Sequence, residues 1–172
     1  GSSWTSGGAL PAAQRQMGGT GTQTAALGYG GLPGFPNTTT LEYGGSSWTS
    51  GGALNSGGNF MYGSASGTQT AGLRSGSGTA ASTTVEEYDG SSWTSANAMS
   101  VARVSSFVDG AQTATIITAG EAPAAPDATG SVTRLTEEYD GTNWSSGASS
   151  LFFLASGGVS GGAAATTAFM IT

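Results

Sequence analysis

Carboxylates are the side chains of this sequence best suited to do chemistry, and they occur in two clusters. The clusters are Glu86-Glu87-Asp89 and Glu137-Glu138-Asp140. Convergent carboxylate oxygens bind Ca²⁺, and two acids roughly 5–9.5 Å apart in a cleft hydrolyse glycosides. Neighbouring residues of a β-strand point to opposite faces, so adjacent glutamates diverge. We therefore expect solvated strand edges followed by a turn aspartate, and we predict no catalytic residue and no metal site.

Two residue types that support much enzyme chemistry are missing. The chain has no histidine and no cysteine. Histidine is the usual proton-transfer group near neutral pH, and cysteine supplies disulfides and thiolate metal ligands. Histidine triads, zinc sites with these ligands and haem ligation by histidine are excluded. We predict that the protein is not an enzyme and needs no cofactor.

The charge pattern argues against some classes of binding partner. Charged residues make up 8% of the sequence, against roughly 25% in typical domains. The net charge is −6, and the four arginines are scattered. Nucleic acids and anionic lipids favour clustered Lys or Arg, so neither is expected as a partner. The uncharged stretch 141–172 is interrupted by Gly, Ser and Thr, which predicts two strands and a turn rather than a membrane span.

A tryptophan recurs along the chain in a nearly constant context. The sequence "GSSWTS" begins at residues 1, 45 and 90, and "GTNWSS" begins at 141. The tryptophans are Trp4, Trp48, Trp93 and Trp144. A Glu-Tyr pair precedes three of them, with the tyrosines at Tyr43, Tyr88 and Tyr139. We divide a single domain, 1–172, into repeats of about 1–44, 45–89, 90–140 and 141–172.

Each repeat has the pattern of four short strands. In the first full unit we expect them near "RQMGGTG", "QTAALGYGG", "TTTLEY" and "SSWTS". The apolar and polar residues alternate with a period of two, and Asp-Gly in "YDGSSW" predicts a hairpin between the third and fourth strands. No segment has the 3.6-residue period of a helix. The sequence therefore predicts an all-β protein with almost no helix.

The repeat resembles the blade of a kelch-type β-propeller. In that family a Gly-Gly pair follows the second strand, a Tyr lies in the third and a Trp in the fourth; Gly30, Gly31, Tyr43 and Trp48 stand in that order here. The chain is also similar to the near-identical repeat arrays of tailed-bacteriophage and environmental bacterial surface proteins. The resemblance implies an all-β propeller of about four blades, with three complete blades and a composite or incomplete closing blade.

The sequence leaves three alternatives open for how the closing blade is completed. The chain starts with a lone fourth strand around Trp4 and ends with a first strand, "SLFFLASG", and a second, "AAATTAFMIT". The blade could close with three strands, chains could complete one another, or the sequence could be a stretch of a longer array. Unpaired sheet edges invite other strands.

Several residues could either bind a ligand or serve only in packing. The periodic tryptophans are expected to pack between blades rather than to stack on sugars. Arg15 and Arg103 occupy similar places after a tryptophan and are expected to bond to carbonyls or to a glutamate. The loops 31–37 and 121–130 differ most between repeats, and loops often carry function. Their candidate ligand contacts are Phe35, Asn37, Pro123 and Asp127.

The leading functional hypothesis is a non-enzymatic structural or adhesive module, extracellular or on a virion surface such as a tail or fibre. Its expected partners are other protein subunits, through self-assembly or contact with virion proteins. The second hypothesis is a glycan-binding propeller that uses the variable loops to contact cell-surface glycan. A protein-interaction adaptor is a further alternative.

Overall fold

The protein is built from antiparallel sheets that follow one another along the chain. The computed structural model describes residues 3–34, 36–58, 65–76, 80–151, 158–160 and 169–171. These residues form three four-stranded sheets and one two-stranded sheet. Sheet A contains β1 (Gly18–Thr22), β2 (Ala25–Tyr29), β3 (Thr40–Tyr43) and β4 (Trp48–Ser50). Sheet B contains β5 (Ala65–Thr68), β6 (Ala71–Ser75), β7 (Val85–Tyr88) and β8 (Trp93–Ser95). Sheet C contains β9 (Phe107–Ala111), β10 (Ala114–Thr118), β11 (Thr136–Tyr139) and β12 (Trp144–Gly147). A final hairpin pairs β13 (Gly158–Ser160) with β14 (Phe169–Ile171).

The turn between the first and second strands is fixed by a glycine just before it. In sheet B, Thr68 pairs with Ala71, which leaves a two-residue Gln-Thr connection. Gly67 has a φ of +95°, and a Cβ there would lie 2.0 Å from the Ala71 carbonyl oxygen. Only glycine accepts both this backbone region and this close approach. The repeated Gly-x-Gln-Thr segment is therefore a turn signature.

The hairpin between the third and fourth strands forms where Asp-Gly predicted it. Tyr88 pairs with Trp93, and four residues connect them. Gly90 has a φ of +93°, and Asp89 Oδ1 accepts the backbone N–H groups of Ser92 and Ser91, each at 2.8 Å. Such Asx bonds stabilise turns, and they lower the pKa of Asp89 to about 2. The structure confirms the hairpin.

The core lies between the sheets. Between sheets A and B it contains Leu27, Tyr29, Leu54, Tyr88 and Trp93. Between sheets B and C it contains Leu73, Val85, Met99, Val108, Ile117 and Tyr139. The first strands lie side by side, with β5 between β1 and β9 and with β13 against β9. The protein is thus all-β, with three four-stranded sheets packed together in chain order.

The ends of the described chain differ from the expected blade pattern. Residues 3–10 form no strand, and Trp4 is fully exposed, so the predicted fourth strand around Trp4 is wrong. A strand needs a hydrogen-bonded neighbour, and the residues described here offer no third strand beside it. The predicted first strand at 150–157 lies mostly outside the described residues. The hairpin begins instead at Gly158, and β14 lies inside the predicted second strand.

No helix within the described ranges has the length and apolar character needed to cross a membrane.

Candidate functional site: the contacts between sheets

Glu86 lies buried in β7, against the expectation of a solvated strand edge. Its carboxylate accepts the backbone N–H groups of Asn55 at 2.8 Å and Ser56 at 3.0 Å, both in the loop that leaves sheet A. Arg74 Nη1 donates to the same carboxylate at 3.0 Å. A buried charge is tolerated when it is paired and hydrogen-bonded. Glu86 is therefore a tie between two sheets.

Glu137 occupies the same repeat position in β11 and is also buried. It accepts the backbone N–H groups of Ser100 at 2.7 Å and Val101 at 3.3 Å, in the loop that leaves sheet B, and a further bond from the Ser100 hydroxyl. Arg103 Nη2 donates to it at 2.7 Å. The expectation of a solvated strand edge is wrong here for the same reason: loop amides and an arginine replace water.

The two buried arginines come from different places in the repeat. Arg74 lies in β6, whereas Arg103 lies in the segment that enters sheet C and also donates to the carbonyls of Ala119 and Leu135. Burial lowers the pKa of both guanidiniums, and the paired glutamates oppose this effect. Arg15, by contrast, is exposed and pairs with Leu32 through its backbone. Arg15 and Arg103 thus differ despite their similar sequence positions.

Sheet A has no counterpart of this polar tie among the described residues. The residue of β3 that corresponds to Glu86 and Glu137 is Leu41, which is buried. The residue that corresponds to Asn55 and Ser100 is Pro11, which has no backbone N–H to donate. A loop with proline at this position does not need a carboxylate acceptor in the third strand.

Tyrosine and glutamate of consecutive third strands form a second type of tie. Tyr88 of sheet B donates to Glu42 of sheet A, and Tyr139 of sheet C donates at 3.0 Å to Glu87 of sheet B. Burial and the bond to the carboxylate raise the pKa of each tyrosine to about 12. Adjacent glutamates therefore point to opposite sheets, as the strand geometry predicts.

The ends of this Tyr–Glu series have different partners. Tyr43 donates to its own turn at the Gly45 carbonyl, 3.0 Å away, and accepts Gly8 N–H at 3.3 Å. Glu138 of sheet C is exposed, and its carboxylate has no hydrogen bond within the described part of the chain.

A glutamine in the turn of each following sheet forms a third tie. Gln69 Nε2 donates to the carbonyls of Ala26 and Tyr43, at 3.1 and 2.8 Å. Gln112 Nε2 repeats this contact on the carbonyls of Gly72 and Tyr88, at 3.0 and 2.9 Å. No role was predicted for these glutamines from the sequence. Their recurrence in "GTQTA" and "GAQTA" is the signal that could have revealed it.

The first strand of a sheet contacts the next sheet through a short polar side chain. Thr20 donates to the Gly67 carbonyl at 2.6 Å, and the hydroxyls of Ser66 and Thr115 lie 2.6 Å apart. Asp109 occupies the same position in sheet C. Its Oδ1 accepts Gly110 N–H at 2.8 Å, but its buried Oδ2 has no hydrogen-bond partner in the described structure.

The tryptophans lie at the same interfaces. Trp93 is buried and donates from Nε1 to Thr40 Oγ1 at 2.9 Å. The half-buried Trp48 and Trp144 donate to the carbonyls of Gly8 and Asn97, at 3.2 and 3.0 Å. Each packs on the tyrosine of its own hairpin, with ring centroids 4.9–5.0 Å apart. Trp4 alone among them is fully exposed.

The Gly-Gly pair after β2 shapes the loop that follows. Gly30 and Gly31 have φ values of 64° and 87°. Gly30 N–H donates to the Thr39 carbonyl and Gly31 N–H to the Gly58 carbonyl, at 2.8 and 2.9 Å.

The predicted ligand-loop residues have mixed surroundings. Asn37 is buried; its Oδ1 accepts Thr39 N–H and its amide donates to the Gly30 carbonyl. Asp127 accepts the Thr133 hydroxyl and, at 2.9 Å, Arg134 N–H. Pro123 is exposed, and Phe35 lies outside the described residues. The structure does not bring these residues together at one site.

The face of sheet A that points away from sheet B carries an open cleft of about 470 Å³. Its lining includes Leu10, Met17, Ala26, Gly28 and Trp48. We call this surface the open face of sheet A.

The described side chains contain no group of three His, Cys, Asp or Glu that could hold a metal ion. No protein-family model matches the chain, and a search of curated proteins found no match.

Proposed function

We propose that the protein is a non-enzymatic structural or adhesive module of a virion, such as a tail or fibre, or of an extracellular surface assembly. Its architecture would be a kelch-type β-propeller of about four blades, with sheets A, B and C as complete blades and β13–β14 as part of the closing blade. The observation that carries this proposal is the repetition of the same ties, Tyr–Glu and Gln–carbonyl, from each sheet to the next.

The placement of the acids supports a structural role. A catalytic carboxylate has to reach a substrate in a cleft. Glu86 and Glu137 are buried and bonded to loop amides and arginine, and Glu42 and Glu87 accept tyrosine hydroxyls. These carboxylates hold sheets together, which favours a scaffold over a hydrolase.

The surface supports assembly with other proteins rather than with nucleic acid. There is no lysine, and two of the four arginines are buried in ion pairs. Uncharged Ser, Thr and Gly residues dominate the sequence and suit a rigid, protease-resistant spacer. Asn37 and Asp127 use their polar atoms within their own loops, so the glycan-binding alternative gains no support from them.

Location tests this function directly. Antibodies against the purified chain would be applied, with gold labels, to particles and cell envelopes from a culture that expresses it, and viewed by electron microscopy. Labelling of tails, fibres or surface filaments is expected. Label confined to the cell interior would contradict the proposal, and pre-immune serum is the control.

A further inference from the structure

The first hairpin of each sheet needs a glycine at the same repeat position. Gly21, Gly67 and Gly110 have φ values of 112°, 95° and 116°. A Cβ on these residues would lie 2.0–2.3 Å from a carbonyl oxygen across the turn. Only glycine accepts this backbone region and this close approach. The turn therefore dictates a glycine after the short polar side chain of each first strand.

The residue before this glycine is an aspartate only in sheet C. Thr20 and Ser66 stand there in sheets A and B and bond to the following sheet through their hydroxyls. Asp109 bonds instead to its own neighbour, since Gly110 N–H donates to Asp109 Oδ1 at 2.8 Å. Its buried Oδ2 has no hydrogen-bond partner among the described residues. The carboxyl carbon of Asp109 is thus held beside the backbone nitrogen of Gly110.

The carboxylates of the two other Asp-Gly pairs have different partners. Asp89 Oδ1 accepts the N–H groups of the residues two and three positions further along the chain, and Asp140 Oδ1 does the same. These bonds hold each carboxylate over its turn. They also lower the pKa of both aspartates, and an ionised carboxylate resists attack by a nucleophile. The fold therefore distinguishes Asp109-Gly110 from the other two pairs.

We propose that Asp109 is a site of spontaneous backbone modification, where the Asp-Gly bond cyclises to a succinimide and reopens as isoaspartate. The Gly110 nitrogen forms a bond to Asp109 Cγ, and its N–H proton, one carboxylate oxygen and one solvent proton leave together as water. Water then adds to the main-chain carbonyl of Asp109 and breaks the bond from that carbonyl to the Gly110 nitrogen. The chain is left linked through the Asp109 side chain. Groups held in contact react faster than groups that must first meet.

The modification goes beyond the proposed function, because it acts on the fold whatever the protein assembles with. Isoaspartate adds one methylene to the backbone of β9, where Val108 pairs with Ile117 beside Asp109. Both apolar side chains belong to the core between sheets B and C, and strand register decides which side chains reach a core. Old molecules should therefore lose part of the contact between these two sheets.

Ageing of the purified, folded chain at neutral pH tests the proposal. The chain has four arginines and no lysine, so trypsin places the three Asp-Gly pairs in the separate peptides 75–103, 104–134 and 135–172. Mass spectrometry detects the succinimide as the loss of one water. Isoaspartyl methyltransferase with labelled S-adenosylmethionine detects isoaspartate, and fragment ions assign the product to Asp109. Product in 104–134 should form about tenfold faster or more than in either other peptide.

The same chain kept in urea is the control for sequence, because unfolding removes the contact between Asp109 and Gly110 but leaves the Asp-Gly bond. The three pairs should then react at similar rates. Asp109→Ser, which supplies the residue type of Ser66, is the control for assignment. It should lose the product from 104–134 and leave the other two peptides unchanged, and circular dichroism confirms that it folds.

Three results would overturn the proposal. The first is a folded chain with no excess of product at Asp109 over the other two sites. The second is the same preference for Asp109 in urea, which would assign it to local sequence rather than to the fold. The third is product in 104–134 that persists in Asp109→Ser.

Discussion

The hydroxyl of Tyr88 in sheet B donates a 2.5 Å hydrogen bond to Oε1 of Glu42 in sheet A. The same bond links Tyr139 to Glu87 one sheet later. In both cases the tyrosine belongs to the later sheet and the glutamate to the earlier one. The stack therefore has a direction that is built into its side chains.

Removing the later hydroxyl measures the strength of this tie. Tyr139→Phe should lower the free energy of unfolding by about 1–2 kcal/mol, because bonds to charged acceptors are stronger than neutral ones and this one is partly exposed. Urea denaturation followed by tryptophan fluorescence checks the value. Tyr43→Phe is the control and should cost about 0.5–1 kcal/mol, since Tyr43 bonds only to backbone groups at an exposed turn. Equal losses of stability in the two variants would contradict the conclusion that the Tyr139–Glu87 bond stabilises the contact between sheets B and C.

Alkaline pH should weaken the stack through the same tyrosines. Their pKa is raised from 10.0 to about 12 in the folded protein, so folding favours the protonated hydroxyl. The stability that they contribute is complete below pH 10 and is lost as the pH rises towards 12. Urea midpoints measured across this window should fall, together with a late rise in tyrosinate absorbance. The double variant Tyr88→Phe/Tyr139→Phe should show a shallower fall, and an identical slope would refute this origin.

The buried and exposed arginines should differ sharply in their effect on stability. Arg103→Met leaves the buried Glu137 without its ion-pair partner, which typically costs about 3–5 kcal/mol. Arg15→Met alters an exposed side chain and should change stability by no more than about 0.5 kcal/mol. Thermal and urea unfolding of the two variants gives the comparison. A mild effect at Arg103 would mean that the loop amides alone can hold the carboxylate.

Asp109 is a position where substitution should stabilise the protein. Its buried Oδ2 lacks a partner in the described structure, whereas Ser66 stands at the same repeat position with a bonded hydroxyl. Asp109→Ser should raise the unfolding free energy by about 1 kcal/mol, because an unsatisfied buried acceptor is removed. Asp89→Ser, which removes bonded turn contacts, should lower it. Calorimetric melting of both variants would test the opposite signs.

The repeat period predicted the strands well because strand boundaries depend on local residues. The Gln-Thr turn, the Asp-Gly hairpin and the Tyr–Trp pairing all lie within one unit. Burial of Glu86 was missed because its cation, Arg74, has no counterpart at the same position in the other units, and Glu137 takes its cation from a different segment. A search for residues that recur at one repeat position cannot find partners that lie at different positions in different repeats.

Identical residues also adopt different structures here. "GSSWTSGGAL" occurs at 1–10 and at 45–54, yet Trp48 begins a strand and Trp4 is exposed outside one. The difference is the neighbouring third strand, which supplies the ladder and the tyrosine ring at Trp48. No property of the ten residues could distinguish the two outcomes, because it depends on tertiary pairing.

Sheet A differs from sheets B and C at two repeat positions, because Leu41 stands where they have a buried glutamate and Pro11 where they have a residue that donates its backbone N–H. A loop that brings free N–H groups against Leu41 would strand them beside a hydrocarbon side chain, at a cost of about 1–3 kcal/mol for each. A loop that brings proline against Glu86 would strand the carboxylate instead. A sheet packed against the wrong neighbour would therefore leave backbone N–H groups or a carboxylate without a hydrogen-bond partner. The residue types at these two repeat positions therefore change together, glutamate with a loop residue that has a backbone N–H and leucine with proline, which favours one order of the sheets.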